Sequence, residues 1–256
     1  MLTQKQQLVQ DFMSRNVQTA YSHSNVTQAI KIMVEKNIGS VVVIDSSGPI
    51  GVFSERDLLS KVLGKMKRPE DCIIMEVMTG AFTATRPNAT LVDAAREMVA
   101  KKGRLMVFDD GELAGIVTAT DIVREIYKSG ESFDFTDCIT RKVITVDPKT
   151  SVGLAIQHMD EKRVGSVLIR GEGNEEPIGI FTERDMLRKV LSKNLQLTTA
   201  VVDLSATPVI TANVGIDGKE AARIMTTNKI KRLPLLEGRK LVGIVTARDL
   251  VEAFSS

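Results

Sequence analysis

A seven-residue pattern occurs four times in this chain at one fixed spacing, and no other feature limits the possible folds as sharply. Gly51-Val52-Phe53-Ser54-Glu55-Arg56-Asp57 returns as Gly115-Ile116-Val117-Thr118-Ala119-Thr120-Asp121, as Gly179-Ile180-Phe181-Thr182-Glu183-Arg184-Asp185, and as Gly243-Ile244-Val245-Thr246-Ala247-Arg248-Asp249. The glycines at 51, 115, 179 and 243 are 64 residues apart each time. A constant period means one supersecondary unit copied several times, with copies that bury their apolar faces on one another.

Each copy carries the same order of local signals. A helix comes early, with apolar residues at i, i+3, i+4 and i+7: Val26, Ala29, Ile30, Met33; Leu91, Ala94, Ala95, Met98; Val152, Ala155, Ile156, Met159; and, with Gly218 at its first place, Ala221, Ala222, Met225. Four methionines among alanines at helical spacing read as core filler rather than a metal box. Two short apolar runs with a turn between them follow, such as 41–44 and 50–53, which read as a hairpin. The motif then opens a second helix with Leu58, Leu59, Val62 and Leu63 in the first copy. With a short strand ahead of the first helix, such as 143–146, each repeat is β-α-β-β-α, so the fold class is α+β. Pro234 stands where other copies have Val42, Met106 and Leu168, which argues that this strand is an edge at that point, since proline cannot donate to a ladder.

Single repeats of this size bury too little surface to stand alone, so the repeats should pair. Repeats one and three share Gly39-Ser40-Val41 and Gly165-Ser166-Val167 and the Glu-Arg-Asp ending. Repeats two and four share Arg104-Leu105 and Arg232-Leu233 and an Ala after the motif hydroxyl. This AB-AB pattern, with a polar boundary at 128–135, predicts two sequential modules: 1–129, with repeats at about 13–64 and 78–128, and 130–256, with repeats at about 138–191 and 202–254.

The motif hydroxyl ends a strand and opens a helix with Asp three places on, which is the pattern of a capping box. The first helices provide an internal control, because their caps Asn25, Thr90, Ser151 and Asp217 are followed by Gln28, Asp93, Leu154 and Glu220, so capping alone tolerates drift. The motif position does not drift at Asp57, Asp121, Asp185 or Asp249. A carboxylate needed beyond capping explains this better, and a pair of vicinal hydroxyls suits it, as acidic residues serve ribose in dinucleotide folds. The hydroxyl and the free NH groups of the same helix end would then face a phosphate.

Composition narrows the function classes. With Lys+Arg 34 against Asp+Glu 32, the net charge of +2 is too small to drive capture of nucleic acid or anionic lipid. No apolar run approaches a membrane span. Aromatics at 4% leave few stacking platforms for bases, and the basic clusters at 65–68, 101–104 and 229–232 have no aromatic partners. The start of the chain has no signal-peptide pattern, and two lone cysteines, Cys72 and Cys138, make no disulfide framework, so a cytoplasmic protein is expected. His23 and His158 sit in unrelated contexts and nothing has zinc or Walker spacing, so no catalysis is expected.

The four motifs resemble those of cystathionine β-synthase-type regulatory (CBS) domains, which read Gly, apolar, any, Ser/Thr, any, any, Asp. The resemblance runs from about residue 13 to 254. It implies pseudo-twofold pairs of repeats with clefts for adenine nucleotides or S-adenosylmethionine, with Asp57, Asp121, Asp185 and Asp249 on ribose hydroxyls. Ser54, Thr118, Thr182 and Thr246 would lie beside them near phosphate, and Arg104 and Arg232 match the family position of a phosphate-reaching basic residue. Repeats one and three carry Ser40 and Ser166 there, so unequal clefts are expected. Arg56, Arg184 and Arg248, beside the motif Asp, either add charge toward phosphate or coat a solvated helix. The expectation is a stand-alone regulator of adenosine-containing ligands, AMP, ADP or ATP first, acting on an effector protein and forming a homodimer, with no required cofactor. A scaffold with empty clefts, and a regulator linked to S-adenosylmethionine or nucleic acid, are the alternatives.

Overall fold

The computed structural model describes residues 7–101, 103–171 and 176–256. Residues 1–6, Lys102 and 172–175 lie outside it, so the basic cluster at 101–104 is described only in part. The α+β expectation holds, with one three-stranded sheet in each repeat. These are β1 (Thr19–Tyr21), β2 (Ser40–Asp45) and β3 (Gly48–Ser54); β4 (Thr83–Thr85), β5 (Leu105–Asp109) and β6 (Glu112–Val117); β7 (Thr145–Val146), β8 (Ser166–Ile169) and β9 (Gly179–Thr182); and β10 (Ala212–Asn213), β11 (Arg232–Glu237) and β12 (Lys240–Thr246). The first strand of each sheet runs parallel to the second, because a helix carries the chain across, and the second and third form an antiparallel hairpin.

The leading helices are Val26–Glu35, Leu91–Lys101, Val152–Glu161 and Gly218–Asn228. Asn25, Ser151 and Asp217 accept from backbone NH groups of their first turns, and Thr90 does the same for Asp93 NH at 3.2 Å. Met33, Met98, Met159 and Met225 are all buried, so they are core residues as their spacing predicts.

Pro234 meets the expectation of a strand edge at its own position, where β11 has no partner on the β10 side. It lies in β11, the central strand of its sheet. In repeats one and three the NH at the same place donates to the neighbouring chain, Val42 to Gln18 O at 2.9 Å and Leu168 to Ile144 O at 3.0 Å. In repeat four β10 pairs only with Leu235 and Leu236, so the missing NH falls just outside the parallel ladder.

By contact, the chain divides into two compact units, each drawn from both halves of the sequence. One unit comprises Met1–Val17, Phe82–Lys142 and Ile210–Ser256; the other comprises Gln18–Ala81 and Val143–Val209. Like repeats therefore pack together, two with four and one with three. The cause is helical amphipathicity: the leading helix of each repeat packs on the motif helix of its like partner. Ala94, Ala95, Ile122 and Ile126 thus share a core with Ala221, Ala222, Leu250 and Val251, while Met33, Leu58 and Leu59 share another with Met159, Met186 and Leu187.

Sequential repeats are linked in a different way, by exchange of the segments that precede them. Residues ahead of repeat one bridge to repeat two, Leu8 to Thr90 and Ser14 to Ile116, while those ahead of repeat two bridge back to repeat one, Ile73 to Asn25 and Thr79 to Val52. Thr140 with Ile244, and Ala200 with Ser151, repeat the exchange in the second half. This explains the motif glycine. A Cβ at Gly51 would meet Thr79 O at 2.6 Å, at Gly115 Met13 Sδ at 2.6 Å, at Gly179 Ser205 Cβ at 3.1 Å and at Gly243 Ile139 Cγ2 at 2.5 Å. The glycine makes room for the exchanged segment.

Candidate functional site

Each motif hydroxyl is the N-cap of the helix that follows, and each motif Asp closes a capping box with it. Ser54 NH donates to Asp57 Oδ2 at 3.0 Å, Thr118 NH to Asp121 Oδ2 at 2.9 Å, Thr182 NH to Asp185 Oδ2 at 3.0 Å and Thr246 NH to Asp249 Oδ2 at 2.7 Å. The capping reading is therefore correct for all four copies, and it occupies Oδ2. Chemical differences between the repeats lie at Oδ1.

In repeat one Asp57 Oδ1 accepts from Lys61 Nζ at 2.7 Å and from Thr79 Oγ1 at 2.7 Å. In repeat three Asp185 Oδ1 pairs with Lys189 Nζ at 2.9 Å. In repeat two Asp121 Oδ1 pairs with an Arg124 NH2 group at 3.0 Å. Repeat four has Glu252 and Ala253 at the corresponding i+3 and i+4 positions, so those two places of its helix hold no cation. Burial pushes the Asp249 carboxyl above the ordinary range; Thr246 hydrogen bonds and the Arg248 charge oppose this, and Glu252 adds to it.

The strand register places the residue that distinguishes A from B repeats directly opposite the hydroxyl. Arg232 faces Thr246, whereas Ser40 faces Ser54 and Ser166 faces Thr182. Leu105 pairs with Val117, so Arg104, one residue earlier, continues that register toward Thr118. Directly opposed residues project on the same sheet face. The structure thus brings Arg232, Thr246 and Asp249 to one sheet and helix end, while Arg104 stands just before the strand that pairs with the one ending ahead of Thr118.

Arg56 and Arg184 also make contacts that the sequence did not suggest. Arg56 Nε lies 2.9 Å from Glu183 Oε1 and its NH1 group donates to Val164 O at 3.1 Å, while Arg184 Nε lies 3.5 Å from Glu55 Oε1. Both glutamates are buried. These reciprocal pairs cross between repeats one and three, so both arginines help to join the two copies. Sequence reading missed Glu55, Glu183, Lys61, Lys189 and Arg124. The i+4 spacing of Lys61 and Lys189 from an acid, and the i+3 spacing of Arg124, were the available signal. Among the described residues no group of three His, Cys, Asp or Glu side chains could hold a metal, and no helix is long and apolar enough to cross a membrane.

The CBS domain family model matches residues 9–64, 74–128, 135–192 and 201–256. The chain is similar to the uncharacterized protein MJ1404 of Methanocaldococcus jannaschii, 29% identical over 265 residues that cover 95% of this chain and 61% of the relative. Thus the chain spans about three fifths of that protein's length. Protein MJ1225 of the same organism is 26% identical over 251 residues, covering 96% of this chain and 70% of its own. The crystal structure of MJ1225, described as a proposed archaeal homolog of g-AMPK, superposes with a TM-score of 0.82 at 22% identity, covering 96% of this chain and 99% of that one. A conserved protein of Pyrococcus horikoshii gives 0.67 at 22% identity, covering 96% and 98%. At these identities the structural likeness establishes the fold.

Proposed function

Because the chain belongs to the CBS-domain family and carries four copies of the domain, we propose that it is a non-catalytic regulator that holds an adenosine-containing ligand and passes its occupancy to an effector protein. The ligand is AMP, ADP or ATP. The observation that carries this reading is the convergence of Thr246, Asp249 and Arg232 at one helix end, with Arg104 just before the strand that pairs with the one ending ahead of Thr118 and Asp121. Carboxylates accept from ribose hydroxyls, the helix NH groups suit an anion, and a strand arginine adds a charge-assisted donor for phosphate. Ser54, Asp57, Thr182 and Asp185 form the equivalent ends without an arginine. The homology proposed for MJ1225 to g-AMPK agrees with a nucleotide ligand. A cytoplasmic homodimer is part of the same proposal.

A scaffold whose clefts never take ligand is the second reading, favoured by the cations already on Asp57, Asp121 and Asp185. Mass spectrometry of small molecules released on denaturation, followed by calorimetric titration with AMP, ADP, ATP, S-adenosylmethionine and NAD, separates the two. The regulator reading expects adenine nucleotides to bind and raise the unfolding temperature by mass action. Arg232→Ala should weaken AMP about ten- to a hundredfold while leaving adenosine unchanged. Failure of all these ligands to bind leaves the scaffold. Tightest binding by S-adenosylmethionine, indifferent to Arg232→Ala, would replace the nucleotide assignment.

A further inference from the structure

The three cations on the motif carboxylates have more in common than an ion pair. Lys61 Nζ directs its three protons to Asp57 Oδ1 at 2.7 Å, Met78 O at 2.8 Å and Thr79 Oγ1 at 3.0 Å, so the ammonium is saturated. Lys189 Nζ does the same with Asp185 Oδ1 at 2.9 Å, Leu204 O at 2.9 Å and Ser205 O at 3.3 Å. An Arg124 NH2 group joins Asp121 Oδ1 at 3.0 Å to Phe12 O at 3.2 Å. Each cation therefore ties the carboxylate to the exchanged segment that crosses its repeat. Thr79 adds a further donor on Asp57 Oδ1.

An incoming pair of ribose hydroxyls competes with these donors for the acceptor sites of Oδ1, and a displaced cation also loses its carbonyl partners. Repeat four is built differently. Its helix presents Glu252 where repeat two has Arg124, and the Asp249 carboxylate keeps its capping bond to Thr246.

We propose that Lys61, Arg124 and Lys189 are latches that close the motif carboxylates of repeats one, two and three, and that repeat four, with Glu252 and Ala253 at the latch places, is the ligand-selective repeat. This rests on the nucleotide reading given above and adds to it a rule for which of four equivalent motifs is used. Latch residues are specificity determinants: they act by occupying the acceptor that the ligand needs.

Calorimetric titration with AMP tests the rule in both directions. Wild type should bind a single AMP per chain. Glu252→Arg, at an exposed position, installs the repeat-two arrangement in repeat four and should weaken that binding at least tenfold. Lys61→Met combined with Lys189→Met should raise the number of AMP bound, and Arg124→Met should raise it again. Binding of AMP with several equal sites in wild type, or an unchanged number of sites in latch variants shown to be folded by circular dichroism, overturns the latch while leaving the nucleotide reading intact. If the latch variants do not fold, Glu252→Arg decides alone: unchanged affinity overturns the proposal. Absence of AMP binding in wild type and every variant removes the nucleotide reading and the latch with it.

Discussion

The two compact units use one fold and one motif for different ends. In the unit of repeats one and three, the residue after the motif hydroxyl is Glu55 or Glu183, each buried against an arginine of the other repeat. Its motif helices leave α geometry at once, widening into π turns over Leu58–Val62 and Met186–Val190, and ending in tight turns at Met66 and Asn194 in left-handed conformation. In the unit of repeats two and four the same places hold Ala119 and Ala247, and the motif helices run as regular α-helices over Ala119–Ser129 and Ala247–Ser255. One unit joins its two copies through buried charge, and the other places Arg232 opposite Thr246 at a helix end.

The largest effect should come from severing the chain. Each core draws helices from both halves of the sequence, so cutting near residue 130 divides both cores. Residues 1–130 or 131–256 alone should aggregate or self-associate, while the two coexpressed should copurify as one particle. Monomeric, folded halves in sedimentation experiments would contradict this and favour 1–129 and 130–256 as independent modules.

A smaller effect is expected from the reciprocal pairs. Arg56→Ala leaves Glu183 buried beside a lost partner, and breaking a fully buried pair costs about 3 to 5 kcal/mol. The Arg56 side chain is 42% exposed, so solvent screening reduces this to about 1 to 2 kcal/mol. Thr120→Ala, at the matching place in the other unit, should stay within about 0.5 kcal/mol. Urea unfolding of both variants measures the contrast, and equal losses would erase it.

Much of this was legible in the sequence. The period of 64 residues and the two hydrophobic periodicities located every repeat, both helices and the hairpins, and the caps were readable down to the residue. The pairing of like repeats was not, because AB-AB similarity shows which copies are alike and carries no sign of which faces meet. The role of the motif glycine was hidden for a related reason, since the exchanged segment that passes over it comes from outside its own repeat. The pairing of Arg56 and Arg184 with Glu183 and Glu55, 127 and 129 residues away in sequence, was not legible either. The latches were within reach: Lys61 and Lys189 stand at a spacing that places them over the preceding Asp.

The smallest effect concerns pH. In the ligand-free protein the Asp249 carboxyl is raised mainly by burial, with Glu252 reinforcing and Thr246 and Arg248 opposing. Burial raises the Cys138 thiol as well, with Glu252 and then Asp249 adding to it. A folded pKa above the unfolded one means that the folded state holds the proton more tightly, so stability falls as pH rises from the ordinary carboxylate range through the raised value. Asp249→Asn should remove that decline, and the stability difference between variant and wild type should move in the variant's favour across the same window. A difference independent of pH in thermal unfolding would assign Asp249 no such burden.

The central claim is that the motif carboxylates are unequal because of what already holds Oδ1. Titrating AMP into Asp249→Asn and Asp57→Asn side by side tests it most directly. The account expects Asp249→Asn to weaken AMP binding at least tenfold, with the fold retained because asparagine still caps, and Asp57→Asn to leave affinity and stoichiometry unchanged. Equal losses from the two substitutions, or a larger loss from Asp57→Asn, would contradict it.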